Sequence, residues 1–285
     1  MTTQSRRAAV THLRATYPVS ARRACRLARL ARSRWQARLC PRDDAALAAA
    51  LVAKAAERPR FGYRRLTTLL RRDGWIVNRK RVLRVYRLAN LRLRKHRPRK
   101  QVSTPRIPRP IAPGPNAQWT LDFISDSCGS GRKFRVLSVV DEFTRDCLAL
   151  RAECSHPSWK VVTVLADLVS TRAVPRRLIV DNGPEFIAKA LDAWAYAHGV
   201  EIYFTRRGKP VDNCYVESFH DKFRDECLST HWFLDLADAR RWIEAWHEDY
   251  NTVRPHSGLG GRTPTEYAAM LADNHELESA LTTPA

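Results

Sequence analysis

The chain has 285 residues, 44% of them hydrophobic, enough to bury a core and to exclude a wholly disordered polypeptide. Its formal net charge of +21 points to a polyanionic partner. No apolar run approaches transmembrane length and none follows the basic N-terminal residues, so neither a membrane span nor a secretory signal is expected.

The charge is unevenly placed. Residues 1–110 hold 31 Lys and Arg against 4 Asp and Glu, which leaves 19 and 25 of the chain's 50 and 29 for residues 111–285. Compositional bias toward Arg would not confine the excess to one third of the chain, so a basic nucleic-acid-binding part is joined to a mildly acidic part. The seven cysteines (25, 40, 128, 147, 154, 214 and 227) form no CxxC pair and no Cys/His ligand spacing. They read as reduced thiols of a cytoplasmic protein, without structural zinc.

In chain order, residues 5–39 alternate Arg with apolar residues at helical spacing. Ser20 caps a helix from Ala21 to about Leu27, and a second short helix covers Arg32–Arg38. An Ala-rich helix starts at Asp43 and Asp44 and ends before Pro59. Tyr63 to Leu70 and Arg79–Leu91 then form a helix pair broken at Asp73-Gly74, with Asn78 as cap. Leu66, Leu69 and Leu70 share one face of the first helix, as do Val82, Val85 and Tyr86 on the second. The opposite faces carry Arg64, Arg65, Arg71 and Arg72, then Arg79, Lys80, Arg84 and Arg87. A solvated face would mix signs; this one nearly lacks acids, which favours contact with DNA phosphates. Residues 95–118 hold six prolines and six basic residues and read as a stiff linker.

Beyond residue 118 the period changes from helix to strand. Strands are expected over Gln118–Ser125, Lys133–Val140 and Cys147–Ala152, joined by short turns as an antiparallel meander. A helix (Ser158–Ala173), a short strand (Arg177–Val180), a helix (Glu185–Gly199), a strand (Glu201–Thr205) and helices over Val211–Leu228 and Leu234–Tyr250 follow. That order gives an α/β fold, a ribonuclease H-like five-stranded mixed sheet flanked by helices and preceded by an all-α helix-turn-helix region. The expected organisation is a basic helical region at 1–94, a Pro/Arg-rich linker at 95–117, a catalytic core at 118–272 and a flexible tail at 273–285.

Three acids stand out. Asp122 lies within the first strand, where a carboxylate is costly unless paired or metal-bound. Asp181 ends the fourth strand before Asn182-Gly183-Pro184, and strand ends of open sheets gather ligands. Glu217, after a gap of 35 residues, sits in the following helix. Each alone has an ordinary structural reading as a turn, cap or surface residue; together they suit a site in which carboxylates hold two divalent cations. Asp141 is the rival for the first position and reads as turn or salt-bridge structure. Arg224 is two helical turns after Glu217 on the same face, and Arg206, Arg207 and Lys209 form a basic loop before that helix.

Three runs, Asn116-Ala-Gln-Trp-Thr-Leu-Asp122, Val180-Asp-Asn-Gly-Pro-Glu-Phe186 and Val211-Asp-Asn-Cys-Tyr-Val-Glu-Ser-Phe219, resemble the three boxes of DDE transposases and retroviral-type integrases. Phe223-Arg-Asp-Glu-Cys-Leu228, Tyr250-Asn-Thr-Val-Arg-Pro-His-Ser-Gly-Leu259 and Thr263-Pro-Thr-Glu-Tyr267 are similar to OrfB of insertion-sequence family three. Arg60 to Leu66 and Asn78 to Val82 resemble the helix-turn-helix module that precedes that core. The resemblance covers roughly residues 20–270. It implies Asp122, Asp181 and Glu217 as catalytic metal ligands, Mg²⁺ or Mn²⁺ as cofactor with two ions expected, and Arg224 as the basic residue after the glutamate; the basic loop (Arg206, Arg207, Lys209) and the cationic helix faces (Arg64, Arg65, Arg79, Lys80) are the other expected DNA contacts. It further implies double-stranded DNA (element ends and target) as substrate, a homo-oligomer on DNA, an OrfA fusion partner, and a bacterial, nucleoid-associated cytoplasmic location. The retroviral His-His-Cys-Cys zinc module and a leucine-zipper heptad run are absent from the chain. The implied activity is metal-dependent strand cleavage and 3′-hydroxyl strand transfer. A DNA-binding regulator with an inactive core, or a non-transposing nuclease of the same fold, are the readings that compete with it.

Overall fold

The computed structural model describes residues 2–37, 43–93, 112–205 and 214–282. The chain divides into two compact units, Met1–Ala46 and Leu47–Ala285. In the first, α1 (Thr3–Thr16), α2 (Ala21–Leu27) and α3 (Arg32–Gln36) enclose Val10, Ala24, Cys25 and Leu30. Ser20 caps α2 by accepting the Arg23 amide, as the sequence suggests.

The second unit holds the helix pair and the sheet together. α4 (Ala45–Glu57), α5 (Tyr63–Arg72) and α6 (Arg79–Leu88) bury Leu47, Leu51, Leu66, Leu70, Val82 and Val85 in a small core of their own. Asn78 caps α6 through the Lys80 amide. The expected linker lies mostly outside the described residues.

The sheet has the order β3-β2-β1-β4-β5. β1 (Gln118–Ser127), β2 (Lys133–Asp141) and β3 (Cys147–Glu153) form the antiparallel meander, and β4 (Arg177–Val180) and β5 (Glu201–Phe204) join it in parallel. Period-2 alternation sends Trp119, Leu121, Leu137 and Val139 to one face, against α7 (Ser158–Thr171) and α8 (Lys189–His198). Ile124, Phe134, Val136 and Val140 face the other way, against α9 (Cys214–Phe223) and α10 (Leu236–Thr252). This mixed sheet, covered by helices on both faces, is the ribonuclease H-like arrangement expected.

Three elements differ from expectation. α8 starts at Lys189 and not at Glu185, because the amides of Phe186 and Ile187 both return to the Gly183 carbonyl in a tight turn anchored by buried Phe186. The helix through Glu217 stays α-helical only to Phe223; Arg224–Leu228 is a π turn in which Ser229 donates to the Arg224 carbonyl at 2.8 Å. A last helix, α11 (Pro264–Thr282), continues past Ala272, where a frayed tail is expected. A reciprocal capping box starts it: Thr263 N–H donates to Glu266, and Glu266 N–H donates to the Thr263 hydroxyl.

His256 stands in the bend between α10 and α11, 6% exposed, with Nε2 3.1 Å from the Tyr250 carbonyl. Burial, then the charge of Arg254, pushes its pKa down to about 3. The folded state keeps it neutral while the unfolded chain protonates it below its ordinary 6.5, so stability falls as pH drops from 6.5 towards 3. The loss is on the order of 1.4 kcal/mol for each step of one in pH across that window. We expect His256→Gln, whose amide can replace the Nε2 donor, to flatten this acid limb in melting temperatures measured between pH 7 and 4. An unchanged slope would contradict the assignment.

Candidate active site

β1 carries Gln118, Thr120, Asp122 and Ile124 on the face covered by α9 and α10. β1 and β4 run parallel with Trp119 opposite Leu178 and Thr120 opposite Ile179. Continued two positions, this register sets Asp122 beside Asp181, the first residue after β4, on strands about 4.8 Å apart. Both point to the same face, since Leu178 and Val180 belong to the opposite one. Sheet pairing thus relates two of the three acids through neighbouring strands.

Local contacts hold each in place. Asp122 accepts its neighbour's amide, Phe123 N–H, at 2.7 Å, and its side chain is 19% exposed. Asp181 Oδ1 accepts Gly183 N–H at 2.9 Å in an Asx turn, and Asn182 ties the turn to the end of β5 by donating to the Thr205 carbonyl at 2.7 Å. Glu185, in the same turn, pairs with Arg135 of β2, whose guanidinium lies 4.2 Å from the Phe123 ring centroid. At Gly183 a Cβ would come 2.9 Å from Asp181 Oδ1 and 3.2 Å from Glu185 Oε2. We therefore expect Gly183→Ala to displace the Asp181 carboxylate and slow DNA cutting roughly tenfold or more, about 1.4 kcal/mol per decade, with little change in melting temperature. Single-turnover cleavage and a thermal melt together test this.

The third acid arrives on α9, whose Phe219 and Phe223 are buried against the sheet. His220 is the link: its Nδ1 is 3.7 Å from Asp122 Oδ2 and its Nε2 is 2.8 Å from the Ser138 hydroxyl of β2. Ser138 sits directly across from Asp122 and is 3.0 Å from its carbonyl. Burial, then the charge of Arg224, pushes the His220 pKa down to about 4, so it is neutral near pH 7. Glu217 lies one turn before His220 on the same stripe of the helix, exposed to solvent. Partial burial, then Asp221, raises its pKa.

Among the described residues no three His, Cys, Asp or Glu side chains are gathered closely enough to hold a metal ion. The β1–β4 register, continued past Thr120 and Ile179, relates Asp122 to Asp181, and the acid that acts on Glu217 is Asp221 of its own helix. The donor set, all carboxylate oxygen with two members side by side, fits a hard divalent cation.

Asp141, the rival acid, is 2% exposed and fully used by structure, accepting the amides of Asn116, Phe143 and Thr144. Glu142 is likewise buried, accepting from Gln118 and Thr120. Arg224 is exposed at the junction of α9 with the π turn. Arg206, Arg207 and Lys209 lie outside the described residues. Arg64, Arg79 and Lys80 are exposed on α5 and α6. Arg64 and Arg87 also line a groove of about 710 Å³ with Tyr63, Tyr86 and Arg92.

Arg65 corrects the sequence reading. It is expected on the DNA-facing side of α5, but its guanidinium is 2.7 Å from Glu226, a carboxylate only 7% exposed in the π turn. Arg72, exposed, is likewise engaged within the chain, by the Val253 carbonyl at 2.9 Å and Glu266 at 2.6 Å. Acids of the second half capture these cations, over separations that no local pattern reveals. Ser138, His220, Glu226 and Arg254 are the residues that sequence reading passes over. The last two did lie within the runs that carry the resemblance, and their sign was charge set among apolar neighbours.

Comparison with known proteins identifies the family. A family model described as an integrase core domain matches residues 112–210, a second of the same description matches 198–264, and an HTH-like domain matches 41–99. An uncharacterized 31.7 kDa protein of insertion element IS407 from Burkholderia multivorans is 44% identical over 88% of this chain and 91% of its own length. The transposase InsD of insertion element IS2 from Escherichia coli is 30% identical over 78% of this chain and 79% of its own. Among solved structures, the catalytic core domain of HTLV-2 integrase in complex with magnesium covers 54% of this chain and 96% of that one, at 16% identity and a TM-score of 0.45. The chain belongs to the integrase-core DDE transposases of bacterial insertion sequences, insertion-sequence family three.

Proposed function

We propose that this transposase cuts the ends of its insertion sequence and joins the freed 3′ hydroxyls to target DNA at a site formed by Asp122, Asp181 and Glu217. The observation that supports the assignment is the parallel pairing of β1 with β4, whose register, continued two positions, leads from Asp122 to Asp181 on the sheet face covered by the helix bearing Glu217. These three carboxylates would hold Mg²⁺ or Mn²⁺, two ions in all. When bound, the ions supply activation of a water or hydroxyl nucleophile and charge stabilisation at the leaving oxygen. The chain's own residues do the rest. β1 and the Asx turn fix the two aspartates, Ser138 and His220 brace Asp122, and exposed Glu217 can approach as the site fills. Arg224, with Arg206, Arg207 and Lys209, would hold the DNA end against the site, and Arg64, Arg79 and Lys80 would contact phosphates farther along the duplex.

Strand transfer needs two DNA ends, so the working form is a multimer on DNA. An OrfA partner would add end-specific recognition, and the complex would work at the nucleoid. The experiment is strand transfer by purified protein on labelled duplex from the ends of its own element, with Mg²⁺ or Mn²⁺. Joined products support the reading. Hydrolysis without joining would favour a nuclease, and binding with neither would favour a regulator.

A further inference from the structure

Glu226 is nine residues after Glu217 in one continuous helical segment, the α9 helix running without a break into the π turn. Its carboxylate is held by Arg254, itself 1% exposed, through two bonds of 2.6 Å. Arg65 of α5 adds a third at 2.7 Å. Burial pushes the Glu226 carboxyl up, but Arg254 and then Arg65 outweigh it and hold it below its ordinary range. Around this centre, Arg60 lies 3.5 Å from Asp225, Arg58 pairs with Asp249 of α10, and Arg72 reaches Glu266 of α11. Lys222 is crowded by the same cations: burial, then Arg254 and Arg65, lower its pKa to about 8. The helix pair is thus docked through a buried ionic joint on the segment that also carries Glu217. π turns recur at functional sites, and this one turns Glu226 toward both arginines.

We propose that Glu226, Arg254 and Arg65 form a gauge that fixes the distance from the DNA-contacting helices α5 and α6 to the catalytic carboxylates, and so selects the phosphodiester that is cut. All three are positioning residues. The inference rests on the reading of Asp122, Asp181 and Glu217 as the cutting site. A purely structural joint would alter stability or total rate; a gauge alters where the cut falls.

Arg65→Met is the informative change, because Arg254 still neutralises Glu226 and the fold is kept. The full chain is given end-labelled duplex from its own element, and cut positions are read at single-nucleotide resolution. Wild type should cut at one position. Arg65→Met should bind the duplex as tightly, yet spread its cuts over two or more neighbouring phosphodiesters, and Arg65→Lys should restore part of the precision. A single cut at the wild-type position in Arg65→Met would overturn the proposal. If that variant does not cut, Fe²⁺ placed in the carboxylate site with peroxide maps the site on bound DNA without turnover. A broadened hydroxyl-radical pattern then supports the gauge, and a pattern as sharp as wild type overturns it. Failure of wild type to cut element ends at all would sink the underlying reading of the site and is distinguishable from either result.

Discussion

Asp181→Asn should lower DNA cutting and joining by about a thousandfold or more, some 4 kcal/mol of transition-state stabilisation, while duplex binding is unchanged or tighter. The substitution keeps side-chain shape, and the remaining amide oxygen can still accept Gly183 N–H, so the turn after β4 survives. What is lost is one of two adjacent negative charges at the head of the β1–β4 pair. Cation binding needs that charge, whereas DNA phosphates are repelled by it. Asp122→Asn should act alike, and the two together should cost little more than either, because residues that serve one site fail as a unit. Filter binding alongside a cleavage time course separates the two effects. Substantial cleavage retained by Asp181→Asn would remove Asp181 from the site.

The second large effect concerns stability. Arg254→Met should cost about 3–5 kcal/mol, because it removes the buried partner bonded twice to Glu226 and leaves that carboxylate only the more exposed Arg65. Arg254 and Glu226 are 1% and 7% exposed, so solvent screens the pair little. At about 2–4 °C per kcal/mol for a domain of this size, the melting temperature should fall by on the order of 10 °C. Adding Glu226→Gln to Arg254→Met should recover much of the loss, since the buried carboxylate left with Arg65 alone is then gone. The pH dependence has a definite sign. Glu226 is depressed in the folded state, so its contribution is present above the ordinary carboxylate value and is lost as pH falls through the lower folded one. Urea denaturation at pH 7 and pH 4 measures both; a loss under about 1 kcal/mol at pH 7, the level of an exposed pair, would mean that the pair is not a stabilising joint.

The sheet was largely legible in the sequence because its signals are local. A change of period marked β1, a nearly continuous apolar run marked β2, Asp181-Asn182-Gly183-Pro184 marked the end of β4, and Ser20 and Asn78 marked helix starts by cap chemistry. Asp122, Asp181 and Glu217 stood out because a carboxylate amid apolar strand residues is costly, and a strand end is where ligands gather. What stayed hidden is tertiary. The π turn adds one residue to a helical turn, which no periodicity over so short a run can register. Arg65 looked like its neighbour Arg64, and only the fold, which brings Glu226 up against α5, separates their roles. His220 carried no signal of its own in the sequence, because its partners Ser138 and Asp122 come from β2 and β1. Even for the three acids the local signals go only part of the way: strand register relates Asp122 to Asp181, whereas Glu217 comes from a separate helix, α9.

That last point is where the account can be tested most directly. Anomalous diffraction from crystals of the protein soaked in Mn²⁺ should show metal peaks within ligating distance of Asp122 and Asp181, with Glu217 turned in from solvent to join them. Peaks held by other groups, or none at Asp122 and Asp181 at saturating Mn²⁺, would contradict the claim that these carboxylates are the catalytic centre.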